Sequence, residues 1–385
     1  MSTRYYFDHN ATTPVRPEVA EAMLPYLTEL YGNPSSAHSF GREARLALEK
    51  SREKVASLIS ANPDEIFFTG CGTESDNIAL TGYMRSAPEG RSKLVTSKVE
   101  HSAILKTAKM LEQDGHEVVY LDVDGSCRVD LDMLRDTVDE NTALVSIMHG
   151  NNETGVLQDI AEAARISHEA GAVFHTDAVQ SAGKVTINVD KMGIDLLSMS
   201  GHKLNAPKGI GVLYLRRGVT VTPLTYGGSH ERGMRPGTEN IPGIVAIGKA
   251  IELAASEMDE KMPALTSLRD RLETAIEGTV PDTLFNGRNA LRLAGTSNMS
   301  FPGVDGEALM FSLDRAGIAV STGSACTTGD VQPSHVLVAM GIAPKTAQSS
   351  LRFSMGWGTN EEGINHIIET LPPIVERLRS IAGGL

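Results

Sequence analysis

The chain has 385 residues, of which 41% are hydrophobic and 22% are charged, a globular composition that excludes extensive disorder. Its 35 basic and 48 acidic residues give a formal net charge of −13, which disfavours nonspecific binding to nucleic acid or to an anionic membrane. Cys71, Cys127 and Cys326 lie far apart, so they form neither a disulfide framework nor a zinc motif and are typical of a reducing compartment.

The N-terminal sequence MSTRYYFDHNATTP has no apolar stretch of the kind that a secretion signal needs. No run of about 18 consecutive apolar residues occurs, as a membrane-spanning helix would require. We therefore expect a cytoplasmic protein that contacts neither a membrane nor nucleic acid.

Apolar runs alternate with amphipathic segments through the first part of the chain. Strands are predicted at 66–69, 93–96, 117–123, 143–148, 172–177, 195–200 and 209–215. Helices are predicted from 73 to about 85 and at about 102–113, 130–138 and 159–170. Strands that alternate with helices of about 10–15 residues indicate parallel βαβ units, and continuous apolar runs indicate a sheet covered on both faces.

The pattern changes after about residue 240. Two consecutive amphipathic helices are predicted at 241–260 and 263–277, followed by strands at 296–301 and 317–322 and a last helix at about 360–382. We therefore predict two domains: a large α/β domain over 15–261 and a smaller α+β domain over 262–385, with residues 1–14 packing on the smaller one.

A glycine-rich turn follows the strand at 66–69, in the sequence FFTGCGTESDN (67–77). Free backbone N–H groups and the positive end of the helix that opens at Thr73 make this turn a candidate phosphate site. No Gly-Lys-Ser/Thr follows, so the turn is not a P-loop, and no acidic residue is assignable to a ribose, so it is not a dinucleotide fingerprint. For this stretch alone, an ordinary capped helix is the alternative.

Lys203 lies in the loop SMSGHKLNAPKGIG (198–211), directly after a predicted strand. A lysine in a tight, partly desolvated loop has the lowered pKa that imine chemistry needs, although a surface lysine is the commoner case. Asp177 closes the strand in HTDAVQ (175–180), and parallel topology brings both strand ends to one crevice. A lysine, a carboxylate and a phosphate site are together what pyridoxal phosphate requires. The alternative for Asp177 is a helix N-cap, and the two roles are compatible.

Cys326 lies in STGSACTTG (321–329), a run of small and polar residues with little apolar surface to anchor the thiol. Free cysteines are usually buried and inert, but this composition indicates an exposed, mobile thiol that can act as a nucleophile. Cys71, in the glycine turn, and Cys127, in a hairpin expected at the surface, fit the inert alternative better.

Three further polar residues are weaker candidates. His101 lies between a strand and a helix, where an imidazole could stack on a cofactor ring or be purely structural. Asn152 follows another strand, and Arg352 lies on a predicted strand, from which it could bind a carboxylate or form an ordinary ion pair. The 11 histidines show no metal-binding spacing, so we expect no metal bound by the isolated chain.

Together these stretches resemble the cysteine desulfurases of the NifS/IscS type, which are fold-type I pyridoxal-phosphate enzymes of the class-V aminotransferase family. The resemblance spans nearly the whole chain, and the lysine of GHK, the cysteine of GSAC and the segment GTESDN are its most specific features. It is carried by DHNATTP (8–14), YGNPSSAHSFG (31–41), TGCGTESDN (69–77), VEHSAIL (99–105), NNETG (151–155), HTDAVQ (175–180), SGHKLNAPKGIGVLYLRRG (200–218), RPGTENIPGIV (235–245), STGSACTTG (321–329), PSHVL (333–337) and SSLRFSMG (349–356).

The resemblance implies an α/β fold, with a mostly parallel seven-stranded sheet in the large domain and a mobile cysteine loop at about 321–334 in the smaller α+β domain. It implies that Lys203 holds pyridoxal phosphate covalently and moves the Cα proton, that His101 stacks on the ring, and that Cys326 is the nucleophile. The other implied contacts are Gly72, Thr73, Ser200 and His202 at the phosphate, with Thr238 of a second subunit; Asp177 at the pyridine nitrogen; Gln180 at the phenolic oxygen; Asn152 at cofactor and substrate; and Arg352 at the substrate carboxylate.

The implied reaction removes sulfur from L-cysteine to give L-alanine and a persulfide on Cys326. A homodimer with composite active sites would pass this sulfur to an iron–sulfur scaffold or another acceptor protein, and Cys326 would ligate a transient iron–sulfur cluster only together with such a scaffold. The alternatives are an aminotransferase or a selenocysteine lyase on the same fold, or a non-catalytic dimeric scaffold for sulfur carriers. The sequence departs from its relatives at Cys71 and at Trp357, where several relatives carry a basic residue.

Overall fold

The computed structural model describes residues 4–322 and 332–382. The helices are α1 (Pro17–Met23), α2 (Pro25–Thr28), α3 (Ser39–Ile59), α4 (Gly72–Asn77), α5 (Ser102–Gln113), α6 (Leu131–Thr137), α7 (Ile160–Glu169), α8 (Ile241–Thr279), α9 (Gly306–Arg315), α10 (His335–Ala339), α11 (Pro344–Ala347) and α12 (Glu361–Ala382). The strands are β1 (Tyr5–Tyr6), β2 (Ile66–Thr69), β3 (Lys93–Ser97), β4 (Glu117–Leu121), β5 (Thr142–Ser146), β6 (Val173–Asp177), β7 (Leu196–Ser200), β8 (Gly211–Leu215), β9 (Leu284–Phe285), β10 (Thr296–Ser300), β11 (Ile318–Ala319) and β12 (Ser350–Ser354). Asp159, Asp305 and Ser334 cap α7, α9 and α10 with side-chain hydrogen bonds, which satisfy N–H groups that have no partner inside the helix.

Seven strands form one mixed sheet in the order β2-β8-β7-β6-β5-β3-β4. The five strands from β7 to β4 pair in parallel, whereas β8 runs antiparallel to both of its neighbours, β2 and β7. Every residue of β3, β5 and β7 is buried, as expected for strands covered by helices on both faces, while the edge strand β4 is partly exposed. The predicted α/β fold with a mostly parallel seven-stranded sheet is therefore confirmed.

Apolar side chains of adjacent strand residues cover the two faces of this sheet. On one face Val145 packs with Ile59 of α3 and Ile247 of α8. On the other face Leu144 packs with Ile104 of α5. Helices cover both faces of the sheet, so the polar side chains at the carboxyl ends of the strands line a crevice at that end of the sheet.

A second apolar core lies beyond the sheet. There β10 pairs antiparallel with β9 and β12, and β1 pairs in parallel with β11. Phe7, which follows β1 directly, is buried together with Phe353 of β12 and Leu371 of α12. The N-terminal segment thus belongs to the same core as the C-terminal helix, while the domain bounds at 261 and 262 stay a prediction.

Helix α8 differs from the predicted pair of helices, because Ile241–Thr279 is one continuous helix of 39 residues with Pro263 inside it. Proline removes one helix hydrogen bond, to the carbonyl four residues earlier. Here that carbonyl belongs to the exposed residue Asp259, where water can replace the lost donor. The predicted break was therefore wrong, and α8 contributes Ile247 to the first core and Ile276 to the second. Neither α8 nor any other helix in the described ranges combines the length and apolar character needed to cross a bilayer.

Candidate active site

Several predicted site residues meet at the carboxyl ends of neighbouring strands. β6 ends at Asp177, β7 ends at Ser200, and a short helical turn, Gly201–Lys203, follows β7 directly. β2 runs in the same direction as β7 because both are antiparallel to β8. The glycine turn between β2 and α4 therefore lies at the same end of the sheet as the end of β7. His101 precedes α5, and its Nδ1 accepts a hydrogen bond from the Ala103 N–H at 3.1 Å. The sheet therefore gathers side chains from distant parts of the chain into one crevice.

Lys203 supplies an amine to this crevice. Its Nζ donates to the carbonyl oxygens of Asn10 at 2.5 Å and of Ala11 at 2.8 Å. Burial is the main cause that lowers the pKa of Lys203 to about 7; the charge of Lys184 lowers it further, and Asp177 opposes the shift. The amine is therefore partly uncharged near neutral pH, which is the form that attacks a carbonyl carbon.

Asp177 faces two other titratable side chains. Ring nitrogen or carboxylate oxygen atoms of Asp76, His101 and Asp177 all lie within 4.8 Å of one another. Burial raises the pKa of Asp177, although His101, the Val179 N–H and Lys203 oppose that shift. Burial also lowers the pKa of His101, so its ring is mostly neutral. The trio has a spacing that could hold a cation, so the expectation of no bound metal stays a prediction.

Sequence reasoning missed Asp76 as a site residue. It lies in α4, four residues after Gly72, and this spacing places both residues on one face of the helix. That spacing was the signal that could have identified it. The side chain is 1% exposed, and its Oδ1 has no hydrogen-bond partner among the described residues.

Gly72 and Ser200 form a close contact beside the first turn of α4. A Cβ atom on Gly72 would lie 2.8 Å from Val179 Cγ2 and 3.3 Å from Ser200 Cβ. The hydroxyl of Ser200 is buried without a hydrogen-bond partner in the part of the chain that the structure describes. Thr73 is exposed in the same turn. The turn therefore offers an unused hydroxyl and free N–H groups to an anion.

The N-terminal segment lines the opposite wall of the site. The carbonyl oxygen of Asn10 accepts from Gln180 Nε2 at 2.9 Å as well as from Lys203. The Nδ1 atom of His202 lies 3.1 Å from the hydroxyl of Thr12. Burial, the main cause, lowers the pKa of His202 to about 4, so this imidazole is neutral at physiological pH.

Arg352 lies on β12 and is buried beside the crevice. Its Nη2 donates to Asp8 Oδ1 at 2.7 Å and its Nη1 donates to the carbonyl oxygen of Asn152 at 3.0 Å. Its Nε is buried without a partner within the described ranges, which leaves one donor for a ligand. The backbone of Arg352 also pairs with Ser321, which precedes the segment that holds Cys326.

The other residues that the sequence singled out take no part in these contacts, as far as the structure describes them. Thr238 is exposed just before α8, and Cys326 lies outside the described residues. Cys71 is half-buried at the N-cap position of α4, and its side chain makes no capping hydrogen bond to that helix. Cys127 is buried, and burial is the main cause that raises the pKa of its thiol to about 12, so its expected surface position was wrong and the inert alternative holds. The ring of Trp357 lies under an arginine guanidinium.

The chain is similar to proteins of known family over nearly its full length. The family model described as aminotransferase class-V matches residues 5–367. A cysteine desulfurase of Trichormus azollae is 49% identical over 377 residues, which cover 98% of this chain and 94% of the relative. The cysteine desulfurase IscS of Dictyoglomus turgidum is 47% identical, with 99% of this chain and 97% of the relative covered. A solved structure of a NifS-like protein has a TM-score of 0.90 and 38% identity, with both chains fully covered. The chain therefore belongs to the class-V aminotransferase family, within the group of the NifS and IscS cysteine desulfurases.

Proposed function

We propose that the protein is a pyridoxal-phosphate-dependent cysteine desulfurase, which converts L-cysteine to L-alanine and retains the sulfur as a persulfide on Cys326. The observation that carries this proposal is the crevice in which Lys203, with its lowered pKa, meets Asp177 and His101. We infer L-cysteine as the substrate because the similar proteins are named cysteine desulfurases. An acceptor protein, such as an iron–sulfur scaffold, would take the sulfur from the persulfide.

Three features of the crevice fit pyridoxal phosphate. The amine of Lys203 is available in its uncharged form near neutral pH. The hydroxyl of Ser200 is buried with no hydrogen-bond partner in the ranges that the structure describes, and a Cβ at Gly72 would fill the space between Ser200 and Val179. Asp177 offers the negative charge that keeps a pyridine nitrogen protonated. These groups match the aldehyde, the phosphate and the ring nitrogen of this cofactor.

When bound, pyridoxal phosphate supplies delocalisation for the electron pair left at the substrate Cα. Lys203 would hold the aldehyde carbon covalently and would later move the Cα proton with its Nζ. Asp177 would hold the proton on the ring nitrogen, and His101 would stack on the ring. Gln180 would donate its amide N–H to the phenolic oxygen.

The phosphate position is built from the turn between β2 and α4 and from the end of β7. The N–H groups of Gly72 and Thr73 and the hydroxyl of Ser200 would donate to the phosphate oxygens, and His202 would contribute a further contact. Thr238 is exposed and completes this position in a second copy of the chain. We therefore propose that two copies of the chain form a homodimer in which residues of both copies build each active site.

The substrate carboxylate is bound at Arg352. Its Nε has no acceptor in the described part of the chain, and a charged acceptor gives the strongest hydrogen bonds with a guanidinium. Asn152, whose carbonyl oxygen already anchors Arg352, orients the substrate and the cofactor from the same side. These two residues hold the substrate so that its sulfur faces the cysteine segment.

Cys326 takes the sulfur. Its thiolate attacks the substrate sulfur, so an S–S bond forms while the Cβ–S bond breaks, and the electron pair stays on the carbon. That carbon then takes a proton and becomes the methyl group of alanine. The pairing of Ser321 with Arg352 supports this role because it brings the start of the cysteine segment next to the substrate carboxylate site.

Mass spectrometry of the holoenzyme after exposure to L-cysteine without reductant tests the proposal. We expect a mass gain of one sulfur on the peptide that contains Cys326. Cys326→Ser should lose this gain and the release of sulfide but keep the visible absorbance of the bound cofactor, whereas the control Cys71→Ser should retain all three. Unchanged desulfuration in Cys326→Ser would show that Cys326 is not the nucleophile. Amino transfer to a keto acid without sulfur release would favour an aminotransferase. Failure to take up pyridoxal phosphate would favour a non-catalytic scaffold.

A further inference from the structure

We infer that Asp76 is a positioning residue for Asp177: of these two adjacent buried carboxyls, Asp76 bears a proton and Asp177 bears the charge. What this arrangement does for a cofactor rests on the proposed function above. The location of the proton is a property of the chain alone, so it can be measured without any cofactor.

The two carboxyls are too close together and too deeply buried to be ionised at the same time. Asp76 is 1% exposed and Asp177 is 5% exposed. Their nearest oxygen atoms lie within 4.8 Å of each other. Like charges at this separation disfavour each other strongly when water is excluded, so the pair keeps one proton over a wide pH range.

The nearby donors and cations favour the charge on Asp177. The Val179 N–H donates to Asp177 Oδ1 at 2.8 Å, and the protonated fraction of the Lys203 amine stabilises the same carboxylate. At Asp76, by contrast, Oδ1 is buried with no hydrogen-bond partner in the described part of the chain. The proton therefore belongs on Asp76, where an ionised oxygen would have the least compensation.

The other titratable groups that face Asp76 supply no positive charge. His175 on β6 has its Nε2 3.8 Å from Asp76 Oδ1, but burial lowers the pKa of His175 to about 3, so its ring is neutral. Its two ring nitrogens lie 2.8 and 3.1 Å from serine hydroxyls. Glu100 and Cys71 only add like charge when they ionise, and burial raises the pKa of Glu100 to about 8. Burial and the charge of Asp177 therefore raise the pKa of Asp76, and a hydrogen bond with Ser198 opposes this shift only in part.

A neutral Asp76 leaves the site with a single carboxylate charge. The attraction for a protonated ring nitrogen then comes from Asp177, and the neutral Asp76 beside it adds no second negative charge.

Asp76→Asn tests the position of the proton, because the amide is neutral at every pH and has nearly the same shape. A buried acid with a raised pKa binds its proton more tightly in the folded than in the unfolded chain. It therefore lowers stability progressively as the pH rises above the unfolded value of about 3.9. We expect the melting temperature of Asp76→Asn, relative to wild type, to increase by about 3 °C or more between about pH 5 and pH 8 in apoprotein containing EDTA.

Asp114→Asn is the matched control, since Asp114 is exposed at the end of α5, and its difference from wild type should not depend on pH. Infrared spectroscopy near neutral pH should show that the C=O stretch of a protonated carboxyl is lost in Asp76→Asn and kept in Asp114→Asn. A pH-independent melting difference with an unchanged infrared spectrum would mean that Asp76 is ionised and would overturn the inference. Should Asp76→Asn not fold, Asp76→Ser, which is also neutral, must give the same trend.

The affinity of the apoprotein for pyridoxal phosphate shows which carboxyl carries the charge. We expect Asp76→Asn to stay within about threefold of wild type and Asp177→Asn to bind at least about tenfold more weakly. An equal loss in both variants would overturn the assignment of the charge to Asp177. If wild type binds no pyridoxal phosphate, the proposed function fails, while the melting and infrared measurements still decide where the proton lies.

Discussion

The Nζ atom of Lys203 lies 2.5 Å from the carbonyl oxygen of Asn10, although 193 positions separate the two residues in the chain. Asn10 belongs to the N-terminal segment, which reaches the second core through Phe7. Lys203 follows β7 of the large sheet. This contact therefore ties the N-terminal segment, which packs in the second core, to the end of β7 in the large sheet.

The rate at which the apoprotein takes up pyridoxal phosphate should increase with pH through about 7. Only the uncharged amine attacks the aldehyde, and the pKa of Lys203 is lowered to about 7, so below that pH the amine is mostly protonated and the rate falls. Rapid-mixing absorbance measurements from about pH 5.5 to pH 9 give the midpoint.

The charge of Lys184 contributes to that midpoint. Lys184→Met removes a cation that lowers the pKa of Lys203, so the midpoint should move to higher pH. The exposed Lys208 is not among the causes of this shift, and Lys208→Met is therefore the control. Identical midpoints in wild type and Lys184→Met would contradict the proposed electrostatic origin of the lowered pKa.

Gly72→Ala should destabilise the protein by about 1–3 kcal/mol, because the new methyl group would lie 2.8 Å from Val179 Cγ2. Without this clash the substitution would stabilise the helix by about 1 kcal/mol, so the sign of the change is informative. Urea unfolding gives the stability, and absorbance titration gives the cofactor affinity, which should also decrease. Adding Val179→Ala should recover most of the stability; no recovery would show that the close contact is not the cause.

Arg352→Lys should increase KM for L-cysteine by about 10-fold to 100-fold and change kcat less, because lysine cannot provide the guanidinium donors for the substrate carboxylate. Steady-state sulfide release measures both constants. Asp8→Asn is the control: it weakens the 2.7 Å contact to Arg352 Nη2 but leaves the guanidinium in place. Equal effects of the two substitutions on KM would assign Arg352 a structural role only.

Glu231→Gln should destabilise the fold by about 3–5 kcal/mol, because it removes the buried counter-charge of the Arg52 guanidinium and leaves only the exposed Glu49 carboxylate, 3.2 Å from Arg52 Nε. Arg52 Nη1 and Nη2 each donate to a different Glu231 oxygen at 2.9 Å, and the Phe68 N–H donates to the same carboxylate at 2.8 Å. Denaturant unfolding of the cofactor-free protein measures the loss.

An exposed ion pair is the comparison for this prediction. Asp64 and Arg217 pair at the surface, so Asp64→Asn should cost less than about 1 kcal/mol. If the two substitutions cost the same, burial of the Arg52–Glu231 pair does not determine its contribution.

The crevice could be predicted in outline from the sequence because parallel topology places strand ends together. Asp177 and Lys203 each follow a continuous apolar run, and the structure brings both to one edge of the sheet. The sequence could not show whether the helix continues through Pro263. The cost of a proline inside a helix depends on whether water reaches the carbonyl that loses its hydrogen bond, and this depends on the tertiary structure.

The amino-acid sequence by itself determined the order of strands and helices, the glycine turn, and the residue types available at each strand end. Only the tertiary structure decided that Asp76 lies within 4.8 Å of Asp177, that the carbonyls of Asn10 and Ala11 accept from Lys203, and that Arg352 Nε finds no acceptor among the described residues. The reason is physical. Apolar periodicity is local and can be read along the chain, whereas burial and charge act through space between residues that the chain itself keeps far apart.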